Sequence, residues 1–410
     1  MSKHIINEAK RCLQCKNPRC AAGCPVNTNI RDAIKLLLDN RIAEAGELLF
    51  LNNPLSLICS YICPQESQCE RHCVLGAKGA PVQISEIEQY ISNYYLNVYK
   101  PEKVEDSQER VAVIGSGPAG ITIAFLLAKK GYKVTIFEGN ERIGGVLYYG
   151  IPEFRLPKSV LTRMKEILIA HGIVIRPNTR IGTNITIDDL QRDGFKAIFI
   201  GTGVWRPSKL GVKGESLGNV HYAIDYLRNP DVYDLGNRVA IIGAGNTAMD
   251  VARTAIRHGS RDVTLVFNYG EENITASKVE TDYARMDGAK LLCYKSTVEF
   301  TEKGVILADS AIDEKGFAVP VAGSEALLEA DSVIIAIGQG PHAVIISTTK
   351  GIDVTGKGLV AVDNCGRTTR EGVFASGDVV TGAKTVVEAV KVSRRVADAM
   401  DEYIKSLSSK

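Results

Sequence analysis

Eight of the chain's ten cysteines stand in two short runs, RCLQCKNPRCAAGCP at 11–25 and CSYICPQESQCERHC at 59–73. The first spaces Cys12, Cys15, Cys20 and Cys24 as C-x2-C-x4-C-x3-C-P; the second carries Cys59, Cys63, Cys69 and Cys73, with Pro64 directly after Cys63. Thiols gathered this way hold zinc, close disulfides or bind iron. Structural zinc sites usually pair two C-x2-C knuckles, and only Cys12 and Cys15 take that form. Three close cysteines with a fourth before proline are instead the spacing of four-iron sites, in which the fourth thiolate serves a neighbouring cluster. Two [4Fe–4S] clusters that exchange ligands account for both runs together, ahead of zinc, with disulfides last. Cys293 and Cys365 lie outside the runs and read as buried, inert thiols.

A second chemistry is written in glycines. In RVAVIGSGPAGITIAFLLAKKGYKVTIFEG, beginning at Arg110, an apolar strand runs into Gly115, Gly117 and Gly120, with Pro118 and Ala119 between the last two. The first glycine permits a tight turn, the second lets backbone approach a pyrophosphate, and the third lets helix and strand pack closely. The helix N-terminus then offers unpaired N–H groups to the phosphates. Glu138 ends the next strand, where an acid accepts hydrogen bonds from a ribose. A parallel unit, RVAIIGAGNTAMDVARTAIRHGSRDVTLVF, begins at Arg238 and carries Gly243 and Gly245, then Asn246, Thr247 and Ala248. Its second strand ends in Phe267 where the first unit has Glu138, and Asn268 and Tyr269 follow. Neither an acid nor a basic pair marks the ribose there, so the site accepts NADH or NADPH on the motif alone, and the missing cations lean towards NADH. Two dinucleotide sites in one chain imply FAD paired with a nicotinamide. Asp378, in ASGDVV, is placed to hydrogen-bond a flavin's ribityl chain or simply to start a helix.

The elements that must position these groups follow from periodicity. Ile30, Ile34, Leu37 and Leu38 share one helical face and Ile42, Ala45, Leu48 and Leu49 another, with Asn53-Pro54 ending the second helix. The expected architecture is α/β: an all-helical iron–sulfur domain, then two Rossmann-like domains, the FAD domain interrupted by the NAD(P)H domain. The boundaries are read as 1–99 for the helical domain, 100–110 for a charged linker, 111–235 and 331–410 for the two parts of the FAD domain, and 236–330 for the NAD(P)H domain. With 49 basic against 47 acidic residues, a net charge of +2 makes no electrostatic case for nucleic acid or an anionic membrane as a partner. The start, MSKHIINEAKRCLQC, has no apolar leader and no stretch is long enough to span a bilayer, so a cytoplasmic protein is expected.

From Lys10 to Ile404 the chain resembles the family of the small, flavin-containing subunit of glutamate synthase and the N-terminal half of dihydropyrimidine dehydrogenase. Both cysteine runs carry the resemblance, with NNPLSLICSYICP, GSGPAG, GGVLYYGIPEFRLPK, GAGNTAMDVART, AIGQGP and ASGDVVTGAKTVVEAV. The resemblance implies one cluster on Cys12, Cys15, Cys20 and Cys73, and a second on Cys24, Cys63 and Cys69 with a non-cysteine ligand. That ligand matches Glu88 in PVQISEIEQY, with Gln89 as its rival, and Cys59 is left out of both sets. It also places Gly145, Thr385 and Val386 at FAD, and sets Lys158 near the flavin, against a reading as a solvated lysine. No side chain is otherwise assigned as catalytic, because the chemistry is centred on FAD.

The function expected is electron input: nicotinamide delivers hydride to FAD, and single electrons pass through two [4Fe–4S] clusters to a separate acceptor subunit. The segment VFNYGEENITASKVE (266–280) looks closer to the dihydropyrimidine dehydrogenase version and favours a pyrimidine-reducing partner. The alternatives are a glutamate synthase small subunit, a subunit of an electron-bifurcating transhydrogenase, and a non-catalytic scaffold with a decayed nicotinamide site. Anaerobically purified protein should carry about eight iron and about eight acid-labile sulfide per chain, as two four-iron clusters require; stoichiometric zinc without sulfide would exclude the cluster assignment.

Overall fold

The computed structural model describes residues 2–101 and 108–408, so most of the expected linker at 100–110 lies outside the described residues. The chain divides into two units. One comprises Met1–Leu147, Glu153–Val204 and Pro341–Lys410; the other comprises Tyr148–Pro152 and Trp205–Gly340.

The first unit opens with helices. Ile30–Leu38 starts at Asn29, whose side chain accepts from the Asp32 N–H, and buries Ile30, Ala33, Ile34 and Leu37. Ile42–Asn52 follows and stops at Asn53, ahead of Pro54. It lies against Ile84–Val98 so closely that a Cβ on Gly46 would stand 2.3 Å from Tyr95 Cβ. Ile5, Ala9, Ile34, Leu49, Ile87 and Ile91 belong to one apolar core onto which Cys12, Cys20, Cys69 and Cys73 pack. The cysteine-bearing segments thus have an apolar floor.

The same unit contains a five-stranded parallel sheet in the order Val373–Ala375, Phe195–Ile200, Arg110–Ile114, Lys133–Phe137, Val174–Arg176. The central strand is followed by helix Pro118–Lys129, which packs on the long helix Val386–Ser408. Asp401 joins these elements from a buried position: Tyr132 Oη donates to it at 2.7 Å and Lys130 Nζ at 2.8 Å. Their bonds hold the Asp401 carboxyl down at about 2, against the push of burial.

The second unit repeats the plan. Its parallel sheet runs Val220–Tyr222, Ser332–Ile335, Arg238–Ile242, Asp262–Val266, Lys290–Leu292. An antiparallel sheet of Lys295–Thr301, Gly304–Ile312, Ala318–Pro320 and Ala326–Glu329, absent from the sequence reading, is inserted before the returning strand. The fold class is therefore as read, but the boundaries are not. Val220–Tyr222 and Ser332–Ile335 both pair in the second sheet, so the insertion runs over 205–340 rather than 236–330. A short apolar run buried on both faces has no period that tells which of two similar sheets it joins.

Asp401→Asn should destabilise the protein by about 1–3 kcal/mol at neutral pH, the range for losing charge-assisted hydrogen bonds at a buried acceptor. A carboxyl depressed in the folded state contributes stability above its ordinary value of 3.8, lost as pH falls towards about 2. The gap between the denaturation midpoints of wild type and variant should therefore be full at pH 7 and close across that window.

Candidate functional site

At the first glycine fingerprint, backbone leaves no room for side chains where packing is needed and leaves open space where a ligand is. Gly115 has φ +94°, and a Cβ there would stand 2.6 Å from Gly201 O; at Gly120 it would stand 2.0 Å from Gly115 O. A Cβ on Gly117 would meet nothing within 4 Å, the open face that close approach by a pyrophosphate uses. Pro118 starts the helix and Ala119 is buried behind it. Glu138 is 4% exposed. Its carboxylate accepts from Ser116 N at 3.0 Å, Ser116 Oγ at 2.5 Å and Asn140 N at 2.7 Å. Ser116 went unnoticed in the sequence although it stands inside the fingerprint; only the fold shows that it anchors the acid.

Two distant segments meet this fingerprint. Gly144 N donates to Ser116 O at 2.9 Å, bringing in Gly145 at φ +55°. Gly377 approaches until its Cβ would lie 2.9 Å from that of Ala119, which sets Asp378 beside the start of the fingerprint helix. Burial raises the Asp378 carboxyl to about 6, although Lys384 N donates to it at 3.2 Å. Thr385 and Glu388 bond reciprocally at the start of Val386–Ser408, Thr385 Oγ1 donating at 2.7 Å and Glu388 N returning a bond at 3.4 Å, which places Val386 at the first turn. Lys158 is half-buried, its ammonium donating to Leu147 O at 2.8 Å.

The cysteines fall into two groups. Cys12, Cys15, Cys20 and Cys73 line one cavity with Ile34 and Ile84, and burial raises the thiols of Cys12 and Cys20. Cys63 and Cys69 lie near Glu88, with Cys24 next to Cys69 and Cys59 against Cys63. Cys63 rises well above the ordinary thiol range, chiefly through its bond with Cys59 and then burial. Burial likewise raises Cys69 and pushes Glu88 up to about 8. A half-buried set of thiols and a carboxylate acting on one another is a donor set short of positive charge, which a metal would supply. Among the described residues no three such groups converge tightly enough to hold a single metal ion, and all ten cysteines are free thiols. Cys59 is buried and takes a hydrogen bond from Asn53 Nδ2 at 3.3 Å, whereas Cys293 and Cys365 are half-buried rather than buried.

The second fingerprint has the same build. Gly243 has φ +131° and its Cβ would stand 2.4 Å from Ala336 O. Gly245 faces Thr275 Oγ1 at 3.6 Å, more loosely than packing requires. Asn246 is occupied in structure, its Oδ1 accepting from Ser277 N at 2.9 Å. Thr247 follows it into the first turn, Ala248 is buried, and Asn268 lies two residues beyond the second strand.

Residues 109–393 match the family described as pyridine nucleotide-disulphide oxidoreductase, and residues 1–99 match "Dihydroprymidine dehydrogenase domain II, 4Fe-4S cluster". The glutamate synthase [NADPH] small chain of Escherichia coli is 34% identical over 97% of this chain and 91% of its own length. The chain belongs to the glutamate synthase small-chain family of pyridine nucleotide-disulphide oxidoreductases. The NADP(+)-dependent formate dehydrogenase subunit beta of Moorella thermoacetica is 33% identical over 94% of this chain and 60% of its own length. Among solved structures, Mycobacterium tuberculosis FprA in complex with NADPH shares the fold at TM-score 0.63 and 16% identity, over 74% of this chain and 86% of that one.

As a member of this family, the chain is an FAD-dependent NAD(P)H oxidoreductase subunit with an iron–sulfur domain, taking electrons into a multisubunit enzyme. These matches back the alternative, a glutamate synthase small subunit, better than the expected pyrimidine-reducing partner. The basis of that expectation, the segment 266–280, follows the second strand of the nicotinamide fold. In a dinucleotide-binding fold, residues at that place bear on cofactor choice rather than on the acceptor. Among the described residues no helix is long and apolar enough to cross a membrane.

Glu88→Ala should remove or alter one cluster's visible and paramagnetic spectrum while the other persists. Cys59→Ser, which keeps a partner for Asn53, should retain both. The opposite pattern would show Cys59 to be the ligand.

Proposed function

We propose that this chain is the electron-input subunit of a glutamate synthase, holding FAD on its first fingerprint, two [4Fe–4S] clusters on its cysteine groups, and a nicotinamide dinucleotide on its second fingerprint. When bound, FAD accepts an electron pair as hydride and releases electrons singly, and each cluster carries one. Glu138, steadied by Ser116, would take the adenosine ribose, and Asp378 the ribityl chain. Gly145, Thr385 and Val386 would border the flavin, and Gly117 would leave the pyrophosphate its approach. Lys158, bonded to Leu147 O, would fix the backbone beside the flavin rather than move a proton.

One observation carries this reading. A cavity of about 650 Å³ is lined by Cys24, Pro25 and Asn27 on one side and by Gly377, Asp378 and Lys384 on the other. A residue proposed to hold one cluster thus borders the same space as a residue proposed to hold FAD, which supports a short route from one to the other. Cys12 and Cys73 border a separate cavity whose lining includes Leu13, 59% exposed, and Val74, 42% exposed. Apolar side chains left in solvent beside the Cys12–Cys73 group suit contact with an acceptor subunit.

A second reading keeps a pyrimidine-reducing partner, favoured by the dihydropyrimidine dehydrogenase description of the iron–sulfur family. Reduced nicotinamide should bleach the flavin anaerobically, which a scaffold with a decayed nicotinamide site would not permit. Added glutamate synthase large chain should then restore colour and form glutamate from glutamine and 2-oxoglutarate. Reoxidation only by a pyrimidine-reducing subunit, with uracil or thymine consumed, would establish the second reading instead.

A further inference from the structure

The two fingerprints correspond bond for bond. In the first, Gly115 N donates to Phe137 O at 2.8 Å and Glu138 N to Arg176 O at 2.9 Å; in the second, Gly243 N donates to Val266 O at 2.9 Å and Phe267 N to Leu292 O at 2.9 Å. Phe267 therefore stands at the station of Glu138, and Asn268 is the next residue. This station is where an adenine ribose is read: by an acid for a free 2′-hydroxyl, or by a nearby arginine for a 2′-phosphate.

The arginines of this region are engaged with acids. Arg253 is buried, donating to Asp287 at 2.9 Å and to Glu280 at 2.8 Å. Arg257 donates to Asp287 as well. Arg285 pairs with Glu271 at 2.7 Å. Lys278 follows Ser277, whose N–H donates to Asn246 Oδ1, so its backbone belongs with the glycine loop rather than with the strand end. What the loop after the strand does present is negative. Glu272 Oε1 accepts from Tyr294 Oη at 3.1 Å, and Tyr294 N donates to Tyr269 O at 3.0 Å, so the carboxylate is tied back onto the loop. A Cβ on Gly270 would stand 2.2 Å from Glu272 Oε1 and 2.3 Å from Tyr294 Oη. Tyr269 is itself engaged, its hydroxyl accepting from Ala318 N at 3.3 Å.

We infer that this chain selects the unphosphorylated dinucleotide, NADH, with Asn268 reading the ribose 2′-hydroxyl and Glu272, held by Tyr294, excluding a 2′-phosphate. The inference rests on the reading of the second unit as the nicotinamide site and goes against the cofactor in the names of its relatives. A phosphate dianion placed here would find Glu271 already holding Arg285 and Glu272 facing the loop. It would gain no bidentate arginine, and it would be repelled. One lost charge-assisted contact lowers affinity roughly ten- to a hundredfold.

The test uses the purified holoprotein and two fragments that carry only the adenosine end, 5′-ADP and 2′,5′-ADP, titrated by calorimetry, with anaerobic flavin reduction by NADH and NADPH alongside. The expected result is at least tenfold tighter binding of 5′-ADP, and at least tenfold more efficient reduction by NADH, expressed in the half-saturating concentration rather than in the limiting rate. The double variant Asn268→Arg, Glu272→Gln should narrow both ratios by at least tenfold. Equal or tighter binding of 2′,5′-ADP by the unaltered protein overturns the inference while leaving electron input intact. Preference for 5′-ADP with no bleaching by either dinucleotide upholds the inference and overturns the electron-input reading. Binding of neither fragment overturns the inference, and electron input then stands or falls on whether either dinucleotide bleaches the flavin.

Discussion

Burying sulfur and carboxylate donors together, short of positive charge, is the constraint on which the N-terminal architecture turns. Cys63, Cys69 and Glu88 sit where burial drives each towards its neutral form, and the groups acting on them are largely one another. Such a set is costly as anions and wasteful as neutral acids. Iron bound here, as proposed, would resolve the conflict by making folding and metal binding one process. The helices supply the floor: Ile34, Ile84 and Ile87 form a core on which the cysteine segments rest. The segments themselves alternate short helices, Arg19–Ala22 and Ser56–Ile62, with turns, Gln14 at φ +50° and Asn27 at φ +58° among them.

The flavin fingerprint solves a different problem with the same economy of space. Its helix and strand can meet only because Gly115, Gly120 and Gly201 lack side chains, and the same closeness leaves Gly117 facing open space. Once Glu138 is buried, it needs partners before any ribose arrives, and Ser116 and Asn140 meet that need. The acid is thereby oriented in advance, so little ordering would remain to oppose the ribose proposed to bind there. Asp378 reaches the fingerprint from more than 200 residues away because Gly377, at φ +76°, turns the chain tightly against Ala119.

The duplicated fold invites divergence at equivalent stations. Backbone bonds at the end of the second strand are conserved between the two units, because parallel pairing demands them, while the side chains they carry are free to differ. Glu138 and Phe267 occupy one geometry with opposite chemistry. The charges that follow Phe267 are likewise tied up by local partners, Glu271 by Arg285 and Glu272 by Tyr294. Sequence alone shows those residues as free to act in either direction; their pairing decides what a ligand meets.

The sequence by itself determined the chemistry and the class of fold. Cysteine spacing and glycine spacing are local, because a cluster ligand run or a strand–turn–helix needs its residues within a few positions of one another. Helix faces at 30–38 and 42–52 were legible for the same reason, since period 3.6 is a local property. Tertiary structure alone decided which strands join which sheet, because Val220–Tyr222 and Ser332–Ile335 are buried runs with no address of their own. It decided that an antiparallel sheet fills 295–329, and that Cys59 lies against Cys63 with Asn53 behind it. It also brought Cys24 and Asp378 to one cavity. These are contacts between residues far apart in the chain or packed through a third element, and no local period encodes them. They exist only when burial of the whole apolar surface leaves one arrangement in which every strand has a neighbour and nearly every buried backbone polar group a partner.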